Sequence, residues 1–270
     1  MSTINNLMRI GRDYWRYIQY KHLLPKNSYH DDIYLVEFPK SGVTYLSFIL
    51  GNLEIQLNKK DDHITFYNID KYIADVHQLR GSKINRQLNR IFIKSHSPYN
   101  PCYFFVIYLY RNPLDVMVSY YNFLRSFGKC KTNFNEFLKD RNYGVRKWVD
   151  HINSWYYKKN DAQRIHFIKY EDLVDHPVKI VQQIYTNLGV KISDSLIEKA
   201  VIMSDISNMK KSEAFYREHN YNYTLPFVGK NGKILKEELF KKDSEKYIYQ
   251  IAKKEIELLF PELFLKLNFK

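Results

Sequence analysis

The sequence predicts an α/β fold, with a central, mainly parallel sheet flanked by helices. Three observations lead there. Short apolar runs rich in Val, Ile, Phe and Tyr alternate with longer stretches of helical periodicity, the pattern of strand–helix–strand units. The run at 103–110 is apolar almost without interruption, as expected of a strand covered on both faces. Finally, the chemistry-bearing segments at 38–45, 94–98, 111–119 and 170–173 each follow a strand, at the sheet edge where parallel sheets bind ligands.

In chain order, residues 33–38 form the first strand, and Pro39 and Gly42 break it. Tyr45, Leu46, Ile49, Leu50, Leu53 and Leu57 then recur at helical spacing, which predicts a helix over 43–57. A second strand at 90–94 leads into Ser95-His96-Ser97-Pro98. The strand at 103–110 ends at Arg111-Asn112-Pro113. Pro113 suits a first helical turn and Asp115 its positive end, so a helix runs to about residue 127. An amphipathic helix over 143–157, a strand over 164–169 and a helix over 177–188 follow, the last with Gly189 as its C-cap. Two helices are expected between 193 and 216, a polar loop over 220–233, and helices from there to residue 270. No internal repeat, low-complexity linker or composition break divides the chain, so a single domain over 1–270 is expected.

The chain of 270 residues is 45% hydrophobic, enough for a full core, and 24 of its residues are Tyr. Its formal net charge of +13 speaks to partners rather than fold. Nucleic acid, anionic surfaces, acidic glycans and phosphorylated cofactors all fit such a charge. A nucleic-acid binder needs basic and aromatic residues interleaved on one element. Lys158-Lys159 and Lys241-Lys242 read instead as solvated helix faces, so no nucleic-acid partner is expected. Cys102 and Cys130 have no metal-ligand spacing, and neither a disulfide framework nor a metal site is expected. No apolar run reaches the roughly 20 residues of a membrane span. Residues 1–20, with Arg9, Arg12, Asp13 and Arg16, lack a signal-peptide core. A soluble, cytoplasmic protein is expected.

Phe38-Pro39-Lys40-Ser41-Gly42-Val43-Thr44-Tyr45 joins a strand to a helix through a Gly-containing turn. Such a turn presents backbone N–H groups and a helix dipole to an anion. Lys40 adds charge; Ser41 and Thr44 add hydroxyls. The pattern GxxxxGK[ST] is absent, since Lys40 precedes Gly42 and no Lys follows it, which argues against a P-loop-like nucleotide kinase. Arg111, at another strand end, can fork onto a phosphate, and Ser119 lies eight residues on in the following helix. His96 sits just beyond a strand at the same edge and has the right ordinary pKa to take a proton from a hydroxyl.

The loop at 38–45 resembles the 5′-phosphosulfate loop of the cytosolic sulfotransferases, [TF]-[YF]-P-K-[SA]-G-T-T-W. Arg111-Asn112-Pro113-Leu114-Asp115 through Ser119 and Tyr121 is similar to that family's 3′-phosphate segment, and Lys94-Ser95-His96 to its K-[TCS]-H. The resemblance covers about residues 32–233. It implies a P-loop-like three-layer sulfotransferase fold and transfer of a sulfuryl group from 3′-phosphoadenosine 5′-phosphosulfate (PAPS) to a hydroxyl on a glycan, lipid or small molecule. By the same resemblance His96 is the base, Lys40 stabilises the leaving phosphate oxygen and Lys94 assists. The cofactor-binding residues are then Lys40, Ser41, Gly42, Val43, Thr44, Tyr45, Arg111 and Ser119. Tyr170, in Tyr170-Glu171-Asp172-Leu173, joins them, with Ser204, Ile206, Gly229 and Lys230. Val43 stands where the family has a first Thr, and Tyr45 where it has the adenine-stacking Trp. Phe227-Val228 replaces the Arg-Lys pair before Gly229, which leaves Lys230, Lys233 or the Gly229 N–H alone to serve in its place. The alternatives are a nucleotide-binding protein on this fold that has lost turnover and a P-loop-like nucleotide kinase.

Overall fold

The computed structural model describes residues 20–21, 24–79, 82–158, 164–218, 234–240 and 242–268. Five strands form one sheet: β1 (Ile33–Glu37), β2 (Ile73–Asp75), β3 (Phe92–Ser95), β4 (Phe105–Tyr110) and β5 (Arg164–Lys169). Their order is β2-β3-β1-β4-β5, and each neighbouring pair is parallel. All C-terminal strand ends therefore share one edge. β1 is central, with β3 on one side and β4 on the other, so the chain leaves the first strand at the point where the winding reverses. Ligands bind at such a point.

Every residue of β1 is buried, and successive side chains enter different cores. Ile33 and Leu35 join Phe105, Ile107 and Leu109 of β4 on one face. Tyr34 and Val36 join Val106 and Tyr108 on the other. This alternation is what a strand covered on both sides must show. Helix α1 (Val43–Leu57) covers the first face through Leu46, Ile49, Leu50 and Leu53, together with α7 (Pro177–Asn187) and α8 (Asp194–Met203). The second face is covered by α3 (Pro113–Ser126), α5 (Val145–Tyr156) and α11 (Lys242–Leu259). Each fully buried large apolar side chain contributes about 1.5–3 kcal/mol relative to exposure. The two cores thus hold the sheet edge rigidly beneath the site.

The predicted strands and long helices occur within one to three residues of their expected bounds. Elements without a sequence expectation are the short helix α2 (Ile69–Tyr72), the edge strand β2 and α4 (Phe134–Lys139). A capping box starts α4: the Asn133 side chain accepts from Glu136 N–H, and Glu136 reaches back to Asn133 N–H. Residues 170–173 are the start of α6 (Tyr170–Asp175). The remaining helices are α9 (Ile206–Glu218), α10 (Lys236–Leu239) and α12 (Pro261–Asn268). Among the described residues no helix is long and apolar enough to cross a membrane, and no group of three or more His, Cys, Asp or Glu side chains is placed to hold a metal ion.

Candidate active site

The turn between β1 and α1 has two left-handed residues, Lys40 at φ 76° and Gly42 at φ 114°. For Lys40 that conformation costs about 1–2 kcal/mol. A strained side-chain-bearing residue at a ligand edge is a feature of functional turns. Alternating handedness turns successive N–H groups toward one concavity. Those of Gly42 and Thr44 have no acceptor among the described residues. Gly42 is required for a second reason: a Cβ there would overlap the ring of Tyr170. Tyr170 thus lies directly on the turn.

Arg111 reaches the turn from the end of β4. Its Nη1 donates to the Lys40 carbonyl at 3.5 Å, and its guanidinium carbon stands 4.5 Å from the centre of the Tyr170 ring. Its Nε is buried with no partner among the described residues, a donor waiting for an acceptor. Asn112 caps α3 by accepting from Leu114 N–H at 2.9 Å, and Glu171 accepts from Asn112 N–H at 3.1 Å, which ties the Tyr170 segment to the Arg111 segment. Ser119 lies on α3, half-buried, and its hydroxyl has no hydrogen-bond partner among the described residues. Lys40 extends its ammonium over the Phe123 ring of α3, 4.9 Å from the ring centre. The Tyr45 phenol is pushed up by burial, with Tyr170 and Asp205 as the neighbours that add to the shift. Ile206, beside Asp205, is exposed.

Three residues expected to contact the cofactor have buried side chains. The Ser41 hydroxyl is fully buried and donates to the Phe38 carbonyl at 2.8 Å, so it shapes the turn. The Val43 side chain is buried in the apolar core beneath α1, which accounts for an apolar residue at that position. Ser204 is also fully buried. Its hydroxyl donates to Ala200 O at 2.8 Å and accepts from Asn52 Nδ2 at 3.0 Å, and it packs α8 against α1. Gly229, Lys230 and Lys233 lie outside the described residues, as do Phe227 and Val228.

His96 follows β3 and faces the turn from the adjacent strand. Its Nδ1 donates to the Glu37 carbonyl at 3.4 Å, which leaves Nε2 as the unprotonated nitrogen. Burial, then Lys94 and His77, push its pKa well below the ordinary value, so the ring is neutral at pH 7. The His77 and His96 rings are stacked, with centres 6.0 Å apart. Lys94 pairs with Asp75 at 3.6 Å and lies close enough to Glu37 to lower its pKa.

Two groups with no sequence expectation complete the arrangement. His151 of α5 donates from Nε2 to the His96 carbonyl at 3.2 Å and accepts at Nδ1 from the Tyr108 hydroxyl at 2.8 Å. Its signal in the sequence is a histidine on the apolar face of an amphipathic helix. Glu37 ends β1 with a buried carboxylate that accepts from Val43 N–H at 2.7 Å and Lys40 N–H at 3.2 Å. Its signal is an acid closing an otherwise apolar strand.

A turn with free N–H groups, an orphaned Arg111 nitrogen, aromatic rings on Tyr45 and Tyr170, and a neutral histidine one strand away fit a phosphorylated nucleotide beside a proton acceptor. The comparisons agree. Residues 30–256 match the model of the sulfotransferase domain family. Bovine sulfotransferase 1E1 is 30% identical over 223 residues, which cover 76% of this chain and 72% of that one. Mouse sulfotransferase SULT7A1, solved as a complex with PAP, superposes with a TM-score of 0.63 at 22% identity, over 94% of this chain and 92% of that chain. Retinol dehydratase, solved with androsterone and PAP, superposes with a TM-score of 0.68 at 17% identity, over 91% and 85% of the two chains. This chain therefore belongs to the sulfotransferase family, whose members take a sulfuryl group from PAPS.

Proposed function

We propose that this chain passes the sulfuryl group of PAPS to a hydroxyl acceptor, with His96 as the base and Lys40 as the stabiliser of the departing phosphate. The observation that carries the reading is His96 itself: a neutral imidazole, its Nδ1–H spent on the Glu37 carbonyl, facing the anion-binding turn from the next strand. PAPS, when bound, supplies the sulfuryl group. The residues that would hold it are the turn from Lys40 to Thr44, Tyr45, Tyr170, Arg111 with Ser119, and Ile206. His96 Nε2 takes the acceptor proton as its oxygen attacks, a contribution of typically 10²–10⁴-fold. Lys40 offers a fixed positive charge where negative charge gathers, which a water-poor site makes more effective. Lys94, anchored by Asp75, adds charge from the β3 side. The family resemblance and the two cysteines, neither of them in a disulfide, support a reducing, cytoplasmic setting. One observation favours a second reading, a nucleotide-binding protein on this fold without turnover: the Glu37 carboxylate already occupies two N–H groups of the turn.

Calorimetry with adenosine 3′,5′-bisphosphate, without added metal, tests the nucleotide site. Tight binding is expected, and no heat at high micromolar nucleotide overturns the reading. Turnover of PAPS with a panel of hydroxyl acceptors then separates the enzyme from the silent binder.

A further inference from the structure

Glu37 poses a physical problem. The turn is built to receive an anion, yet the chain's own carboxylate accepts from Val43 N–H at 2.7 Å and from Lys40 N–H at 3.2 Å. Its side chain is only 3% exposed. Charged and titratable groups face it from every element around it. Lys40 lies in the turn and Lys94 on β3. His96 follows β3, with Nδ1 3.7 Å from Oε1. Tyr108 faces it from β4 and Tyr170 from α6. Lys94 is also paired with Asp75, so the two lysines balance the two carboxylates Glu37 and Asp75. A phosphate brings nearly two more negative charges to the same turn, where the Gly42 and Thr44 N–H groups have no acceptor among the described residues. Two anions on one turn repel strongly where water is scarce.

We propose that Glu37 is a built-in competitor for the phosphate seat, released by protonation, so that nucleotide loading takes up one proton at Glu37. The proposal rests on the nucleotide site described above. A neutral carboxyl gives up its claim on the Lys40 and Val43 amides and gains an O–H to donate. The fold prepares this step. Burial is the largest influence on Glu37 and raises its pKa, against the Val43 N–H, Lys94 and Lys40, which hold it down. An arriving phosphate raises it further, since a like charge disfavours the ionised form. The proton comes from solvent, and no other group of the turn needs to change its charge.

The test is calorimetry of adenosine 3′,5′-bisphosphate binding at pH 8 in two buffers of different ionisation enthalpy, where the nucleotide phosphates are fully ionised. The wild-type protein is expected to take up close to one proton. Glu37→Gln, which imitates the protonated side chain, is expected to take up none and to bind more tightly. The ratio of the two dissociation constants should grow with pH, by up to about tenfold per unit. Equal proton counts in the two proteins, or a ratio constant from pH 6 to 9, overturn the proposal while leaving the nucleotide site intact. Where Glu37→Gln fails to fold, the wild-type buffer series decides alone, and no uptake between pH 7 and 9 overturns the proposal. No binding by either protein overturns the nucleotide site and the proposal with it.

Discussion

The turn from Phe38 to Gly42 is held by charge and backbone strain: two positive φ angles, a buried carboxylate on its amides and two lysines around that carboxylate. The segment after β3, one strand away, is held by neutral hydrogen bonds from α5. His151 Nε2 donates to the His96 carbonyl, Trp155 Nε1 to the Ser97 carbonyl at 3.1 Å, and Tyr99 N–H to Ser154 Oγ at 3.0 Å. A buried, satisfied network of this kind fixes one geometry. The difference suits the two tasks. A base works at a set distance and angle, so its support should not respond to ligand charge. An anion seat has to respond, because its charge balance changes whenever the nucleotide comes or goes.

The largest expected effects come from removing one group on each side. His96→Ala is expected to lower turnover by about 10²–10⁴-fold while leaving adenosine 3′,5′-bisphosphate affinity unchanged, because the ring belongs to the neutral side. Lys40→Ala is expected to lower turnover by about 10²–10³-fold and to weaken nucleotide binding as well. Steady-state kinetics and calorimetry on the two variants measure the split. Full turnover in His96→Ala would show that the base is elsewhere. Equal loss of nucleotide affinity in both would show that the two sides do not divide the work.

The neutral side carries its own dependence on pH. Burial pushes the His151 pKa down from 6.5 to about 4. Between those values the unfolded chain binds a proton that the folded protein refuses, so stability is complete above pH 6.5 and falls as the pH falls toward 4. The full shift corresponds to about 3 kcal/mol. His96, also pushed down by burial, adds in the same direction. His151→Gln keeps a donor for the His96 carbonyl and an acceptor for Tyr108 but cannot titrate. Its denaturant midpoint is expected below that of the wild type at pH 7 and to converge on it, or pass it, by pH 4.5. Parallel midpoints across that range would mean that the His151 proton plays no part.

Much of this division is legible in the sequence, though unevenly. The ends of β1, β3, β4 and β5 stand out because each apolar run stops at Pro, Gly or a charged residue. Lys40, Gly42, His96, Arg111 and Tyr170 follow from those ends and gather at one edge. The three residues of β2 are too few for a period to register, and their partners in β3, Phe92, Ile93 and Lys94, are distant in sequence. Glu37 and His151 escaped for a different reason. Each is a polar residue at an apolar position, and nothing local says whether such a residue is buried with partners or turned outward. Their partners come from other elements, Glu37's from the turn and from β3, His151's from β4 and from the segment after β3.

Ser204 offers the smallest effect and the sharpest separation of packing from binding. Its sequence context reads as a cofactor contact, yet the hydroxyl is fully buried and bonded on both sides. Asn52, which donates to it, spends its Oδ1 on Ile64 N–H at 2.8 Å, so it cannot simply turn to another acceptor. Ser204→Ala leaves one buried donor short of its partner, at a cost of about 1–2 kcal/mol. Thermal or chemical denaturation should show that loss, and calorimetry should show an unchanged affinity for adenosine 3′,5′-bisphosphate. Unchanged stability with weaker nucleotide binding would return Ser204 to the cofactor site. It would also mean that α8 shifts against α1 when the nucleotide loads, since only such a shift would free the hydroxyl from Asn52 and Ala200.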